Sequence, residues 1–398
     1  MDTEIRPITH QEYNAWIKAK TLGFGAAVSE EHMRRMPFEP ERSLAAFHGG
    51  KIVGTAYIHR FEMRVPGDWL PLAGVAGVTV QPTHRRRGIL TRMMKAQLRD
   101  IYELGEPLAG LYASESIIYG RYGFGMATFH QRWSLARHHS GMEFPHDCGG
   151  EVELVEASQA RDLFPGVYER ARPLRPGMIR RDSIRWDLKL NDPESDRRGS
   201  SPYFHAIYRS GDRIDGYFLY RLNHSTHTLT VHELISTTDE AESVLWQYCF
   251  GVDLMTSTEA LLRPVDDPLL WKLADPRHLE RSSSDDLWVR LVNLPMALSG
   301  RSYAGEGRLV VEVTDSYCPW NQGRFELLAT PGKAECRSTA AAADLALSVA
   351  DLGAVYLGGV SFRTLWHAGR VKADDSNTIQ RADALFATKF QPWCTVDF

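Results

Sequence analysis

The sequence predicts a mixed α/β (α+β) protein whose 398 residues divide among two or three domains. Three observations predict it. The stretch "VTVQPTHRRRGILTRMM" (78–94) runs from a strand through a proline turn into helical spacing. A strand–turn–strand plan from the first third of the chain recurs in the second. The last third carries strands of its own and a small-residue, helix-rich stretch.

Composition narrows the class. Hydrophobic residues make up 43%, enough for ordinary cores. The net charge of −4 gives no global basic field and argues against nucleic acid as a partner. The opening "MDTEIRPITHQEY" has no apolar h-region, and no apolar run approaches the roughly 18 residues of a membrane span. Cys148, Cys249, Cys318, Cys336 and Cys394 are scattered with no CxxC, and read as reduced thiols of a cytoplasmic protein.

The first domain is expected over 1–147. "SLAAFHGGKIVGTAYIHRFEM" reads as two strands joined at Gly49-Gly50-Lys51. "AGVAGVTVQP" is a third strand, and a helix follows from about Gly88 to Glu103. Leu90, Met93, Met94, Gln97, Leu98 and Ile101 give that helix a largely apolar face. "PLAGLYAS" is a further strand. "SIIYGRYGFGMATFHQRWSL" reads as a helical turn and a return strand. This order places the basic turn at a strand's carboxyl end, where open sheets bind ligands.

The second domain, 148–282, echoes the first. "HAIYRSGDRIDGYFLY" repeats the plan of "AAFHGGKIVGTAYI", and "TLTVHELIS" that of "GVAGVTVQP". Its helix opens on Asp239 and Glu240, which suit a helix dipole but repel phosphate. The pair reads as a duplication in which only the first copy kept an anion site. A third domain, 283–398, follows the linker "ERSSSDDLW" and starts at "LWVRLVNLPMALSGRSY". It contains "GRLVVEVTD" and "GRFELLAT" as strands and "STAAAADLALSVADLGAVYLGG" as a helix-rich stretch. The alanine-rich helix near 340–350 reads as packing rather than a lipid groove.

The basic turn carries the chemistry. Arg85, Arg86 and Arg87 oppose the helix dipole unless an anion sits there. Backbone N–H groups point out of a helix start, and Gly88 permits close backbone approach. Arginine forks suit phosphate. The preceding strand offers backbone groups to an amide-rich arm. Pyrophosphate joined to such an arm describes coenzyme A.

These residues resemble the acyl-CoA-binding motif [QR]-x-x-G-x-[GA] of the GNAT superfamily of N-acetyltransferases. Arg85 and Gly88 match, and Leu90 departs from the small final residue. "VTVQPTHRRRGIL", "ASESIIYGRYGFGMAT" and the ending "PWCTVDF" together resemble the Eis (enhanced intracellular survival) family of that superfamily. The resemblance implies tandem GNAT folds, a C-terminal sterol-carrier-protein-like α+β domain, a homohexamer and acetyl-CoA as co-substrate. It implies that Val78, Thr79 and Val80 hold the pantetheine arm. Arg86, Arg87, Gly88, Ile89, Leu90 and Thr91 would hold the pyrophosphate, and Ser114 and Glu115 would line the channel. It matches Tyr119 to the general acid and the α-carboxylate of Phe398 to the general base.

Acetyl transfer to an amine needs both groups. Amines are mostly protonated at pH 7, so a base must free the nucleophile. A departing thiolate is helped by a tyrosine proton. An α-carboxylate has an ordinary pKa of about 3.3–3.7, which burial beside its own phenyl ring would raise. Tyr122, one turn from Tyr119, is the alternative acid. A cationic acceptor, an aminoglycoside or a lysine-like amine, calls for acidic lining: Asp397 first, Glu30 or Glu31 after it. His138, His139, His146 and Cys148 lack the spacing of a common zinc site, and no metal is expected. HExxH, GxSxG and GxxxxGK[ST] are absent. The competing readings are a non-catalytic lipid or small-molecule binder with a vestigial GNAT part, and a nucleic-acid binder using Arg85–Arg87.

Overall fold

The structure, a computed structural model, describes residues 3–26, 39–145 and 149–398. It forms two compact units. One comprises Met1–Thr128, Asp286–Lys389 and Val396–Phe398, the other Phe129–Asp285 and Phe390–Thr395.

In the first unit, β1 (Glu4–Pro7), β2 (Ser43–His48), β3 (Lys51–Val65) and β4 (Asp68–Val80) form an antiparallel meander. β5 (Leu108–Tyr112) joins parallel to β4 through the helix Ile89–Glu103. That helix buries Ile89, Met93, Met94, Leu98 and Ile101, each contributing about 1.5–3 kcal/mol. Gln97 sits on the same buried face.

The next strands correct the sequence reading. The expected return strand is two strands: β6 (Gly125–Met126) stays in the first sheet, and β7 (Phe129–Ala136) belongs to the second. The strand expected to open the third domain, β14 (Leu287–Leu291), lies in the first sheet between β5 and β6. Thr128 is the physical reason. Its backbone N–H donates to the Leu287 carbonyl at 3.1 Å and its carbonyl accepts from Asp286 N at 3.0 Å. Its hydroxyl oxygen accepts from Leu287 N at 2.9 Å. Incoming and outgoing chain are pinned to each other where they change sheets.

The second sheet has the order β13-β7-β12-β11-β10-β9-β8. Its strands after β7 are β8 (Glu151–Val155), β9 (Phe204–Ser210), β10 (Arg213–Asn223), β11 (Thr228–Ser236), β12 (Ser257–Pro264) and β13 (Glu280–Asp285). The run β9–β10–β11, helix Asp239–Gly251, β12 repeats β2–β3–β4, helix, β5, including a parallel last pair. Both copies carry a β-bulge in the antiparallel pair before the helix, at Thr55/Tyr57 and at Leu219/Tyr220. The "ERSSSDDLW" linker is largely strand β13. All six of its residues are exposed, so no apolar alternation marked it, and backbone pairing to β7 holds it.

The third sheet, order β17-β16-β15-β18-β19, comprises β15 (Gly307–Thr314), β16 (Gly323–Thr330), β17 (Lys333–Ser338), β18 (Leu345–Ser348) and β19 (Lys372–Ala373). The alanine-rich stretch is less helical than expected: β18 precedes a short helix, Val349–Val355, which is buried throughout. Among the described residues no helix is long and apolar enough to cross a membrane.

Candidate active site

Strands β4 and β5 pair only from Leu72–Gly74 to Leu108–Gly110. Beyond that point they part, and β4 runs on to Val80 paired with β3 alone. Val78 and Val80 are half-buried there. The Thr79 side chain is turned inward, its hydroxyl 2.8 Å from that of Thr55, so its backbone is what remains for a ligand. This opening supplies the unpaired strand edge that an amide-rich arm requires.

The basic turn follows. Arg85, Arg86, Arg87 and Gly88 are all exposed. Arg85 Nε donates to the Val80 carbonyl at 3.1 Å, tying the turn back to the strand. Arg86 has φ 62° and Gly88 has φ 75°, with Arg87 between them outside the left-handed region. Alternating backbone hand turns successive N–H groups to one side and forms an anion-binding hollow. An arginine in the left-handed region costs about 1–2 kcal/mol, and such strain concentrates at functional sites. Arg86 makes no hydrogen bond or ion pair among the described residues. Ile89 is buried in the core, so its backbone alone faces the turn, and Leu90 is half-buried.

Ser114 and Glu115 are exposed just beyond β5, and the Glu115 carbonyl accepts from Ile118 N at 3.0 Å at the start of the short helix Ser116–Tyr119. Tyr119 is 6% exposed. Burial pushes its phenol above the usual tyrosine range, partly offset by a hydrogen bond with Ser114. It therefore keeps its proton at neutral pH, as an acid must. Tyr122 is engaged elsewhere: its hydroxyl is 3.1 Å from the Thr91 hydroxyl. The backbone of this turn is fixed by Arg290 of β14, which donates to the Tyr122 carbonyl and pairs with Asp315 at 2.6 Å, both charges fully buried. Gly123 has φ 84°, and a Cβ there would lie 1.5 Å from Arg290 Nη1, so no other residue fits.

The Phe398 ring is seated on the first sheet where β4 and β5 part. Its centroid lies 4.7 Å from Phe61, 5.1 Å from Tyr112 and 6.0 Å from His59. A Cβ on Gly74 would come within 2.3 Å of the Phe61 ring and 3.1 Å of Phe398. Tyr112 donates to the Val396 carbonyl at 2.7 Å. His59 is buried, with Nδ1 2.9 Å from the Tyr57 hydroxyl. Tyr57, His59, Phe61, Gly74 and Tyr112 escaped the sequence reading, because strand residues that cradle a distant segment carry no local motif. Only the two glycine-rich stretches hinted at close approach. Asp397 is exposed beside the ring. Glu30, Glu31, His146 and Cys148 lie outside the described residues, and His138 is exposed. Cys249, Cys318 and Cys336 are buried free thiols.

The second copy keeps the splay but fills it. β11 and β12 pair only over Thr228–Val231 and Ser257–Ala260. Past that point Arg263 Nη1 donates to the Leu234 carbonyl at 2.8 Å, taking a backbone acceptor that a pantetheine arm would need. Arg181 bonds Glu233 at 2.6 Å and the Thr395 carbonyl at 2.6 Å. Thr237 and Thr238 alone separate strand from helix here, and Asp239 and Glu240 face the opening turn in place of arginines.

A splayed parallel pair followed by an exposed basic turn and a helix is the arrangement of a GNAT-type acyltransferase. Residues 4–127 and 177–291 each match an acetyltransferase (GNAT) domain family, and residues 294–395 match the sterol carrier protein domain family. An N-acetyltransferase of Streptomyces avermitilis is 37% identical over 99% of both chains. The N-acetyltransferase Eis of Mycobacterium tuberculosis is 37% identical over 85% of this chain and 84% of its own. The crystal structure of Eis1 from Mycobacterium abscessus, 32% identical, superposes with a TM-score of 0.87 over 99% of this chain and 100% of that one. The chain belongs to the Eis family of N-acetyltransferases: tandem GNAT folds followed by a sterol-carrier-like domain.

Proposed function

We propose that the chain transfers an acetyl group directly from acetyl-CoA to an amine acceptor, an aminoglycoside or a lysine-like amine. The pantetheine arm pairs with β4 at Val78–Val80, and the pyrophosphate lies in the hollow formed by Arg86 to Thr91. Ser114 and Glu115 line the channel. The α-carboxylate of Phe398 takes a proton from the bound ammonium group. The freed nitrogen attacks the thioester carbonyl, the C–S bond breaks, Tyr119 protonates the departing sulfur, and the second proton that the nitrogen sheds as the amide forms returns to Tyr119 through solvent. Asp397 favours a cationic acceptor. The domain division 1–147, 148–282 and 283–398, amended for β7 in the second sheet and β14 in the first, leaves both catalytic groups to the first and third parts, and acetyl-CoA to the first GNAT copy alone. The family resemblance extends this reading to a homohexamer in the cytoplasm.

The observation that carries the reading is the Phe398 ring seated at the parting of β4 and β5. Extending the chain past Phe398 tests it. An extension converts the carboxylate to a neutral amide and moves the charge away. Turnover should be lost while acetyl-CoA binding, measured by calorimetry, persists. Full activity in the extended protein would place the base elsewhere, with Glu115 acting through water as the next candidate.

A further inference from the structure

The paired histidines dismissed on sequence spacing acquire partners from far along the chain. His139 Nδ1 lies 2.9 Å from Asp275 Oδ2, and His278 Nδ1 lies 2.8 Å from the same oxygen. The two imidazoles are parallel, 3.5 Å apart and 4° out of plane. All three ligating atoms fall within 4.8 Å of one another. We propose that His139, Asp275 and His278 form a site for a divalent transition-metal ion that clasps the exposed edge of the second sheet.

The spacing fits such an ion. Adjacent ligands of a six-coordinate ion bonded at about 2.1 Å stand about 3.0 Å apart, against about 3.4 Å for a tetrahedral one. The N–O separations here match the first; the His278 ring, now stacked on His139 and half-exposed, turns about its side-chain bonds so that both in-plane Nδ1 lone pairs meet at the ion. Two neutral imidazoles and one carboxylate suit the borderline cobalt–nickel–zinc series rather than magnesium or calcium. Without metal, each ring donates Nδ1–H to Asp275. With metal, that hydrogen moves to Nε2, and the half-exposed His278 ring has water to receive it. Water fills the remaining positions.

The ligands are held ready by backbone bonds between their loops. Ala274 N donates to the Gly141 carbonyl at 2.8 Å, and Glu143 N to the Lys272 carbonyl at 2.9 Å. His139 closes a 3-10 turn just past β7, and His278 closes another just before β13. Those strands pair with each other, Glu280 opposite Ser134. Since β13 buries no side chain, cross-linking the open end of this ladder opposes its fraying.

Tag-free protein stripped with EDTA should be titrated with Ni²⁺, which accepts six ligands, by calorimetry and melted with and without the ion. The controls are His278→Ala and Asp275→Asn, both at surface turns of the second unit and neither among the residues proposed for acetyl transfer. The chain has 15 histidines, so the difference between proteins is what counts. Wild type should bind one more ion per chain than His278→Ala, and Asp275→Asn should bind it at least tenfold more weakly. The Ni²⁺-dependent rise in melting temperature should vanish in both variants, with unchanged circular dichroism and acetyl-transfer rate in metal-free buffer. Equal stoichiometry and equal thermal shifts in wild type and variants would overturn the site.

Discussion

The Tyr112 hydroxyl donates a 2.7 Å hydrogen bond to the carbonyl of Val396, two residues before Phe398. A side chain of β5 thus fixes the backbone that presents the proposed base. Tyr112→Phe removes this donor and keeps the ring against Phe398. A hydrogen bond of this kind is worth about 0.5–1.5 kcal/mol, so kcat should fall roughly three- to tenfold with the KM for acetyl-CoA unchanged. A KM effect with kcat intact would contradict that role.

Arg86 is strained, exposed and without a partner among the described residues. Arg86→Ala should raise the KM for acetyl-CoA by about 10–150-fold, the equivalent of a charged hydrogen bond worth about 1.5–3 kcal/mol. Pantetheine analogues lacking the phosphates should be insensitive to the change. Unchanged acetyl-CoA affinity would remove the pyrophosphate from this turn.

Tyr119→Phe should lower kcat by about 10²–10⁴-fold with little effect on binding. Tyr122→Phe should be mild, since that hydroxyl serves Thr91. Because burial raises the Tyr119 phenol, the alkaline limb of the kcat–pH profile should lie above pH 10 in wild type and disappear in Tyr119→Phe. If Tyr122→Phe is the damaging change, the acid lies one turn further on.

Glu233 should give the second unit an acid-sensitive fold. Burial alone would raise this carboxyl, but Arg181 and Lys189, with hydrogen bonds from Arg181 and Tyr217, bring it down to about 2. A folded value below the unfolded one stabilises at higher pH. The contribution is complete above about pH 4.5 and is lost as pH falls towards 2. It is on the order of 3 kcal/mol. Urea unfolding measured across this window should show the decline in wild type and a flatter dependence in Glu233→Gln. That variant should also be less stable at pH 7, because it leaves Arg181 unpaired. Parallel pH dependence in the two proteins would assign the acid sensitivity to other carboxylates.

Local chemistry was legible in the sequence, and tertiary exchange was not. "VTVQPTHRRRGIL" announced its strand, turn and helix, because proline, arginine and glycine each constrain the backbone where they stand. The duplication showed because the same glycine and basic turn residues, with Ile and a following Gly, open a seven-residue buried run in both β3 and β10. β14 reads as a strand equally well in either domain, since an apolar strand does not name its neighbours. β13 was invisible because it buries nothing. The metal-site residues stand far apart in the chain, and only the fold brings His139 to Asp275 and His278.

The pinning of Thr128 to Asp286 and Leu287 has a consequence for synthesis. Among the described residues β6 pairs only with β14, so the first sheet lacks its closing strands until Leu291 leaves the ribosome. At about 5–20 residues per second, the nascent first copy waits roughly 8–30 s with the exposed β5 edge unpaired. Throughout that interval the second copy is being made and can fold around β7. The part of the chain that carries the acetyltransferase cleft is therefore translated ahead of the second copy and completed only after that copy has been made.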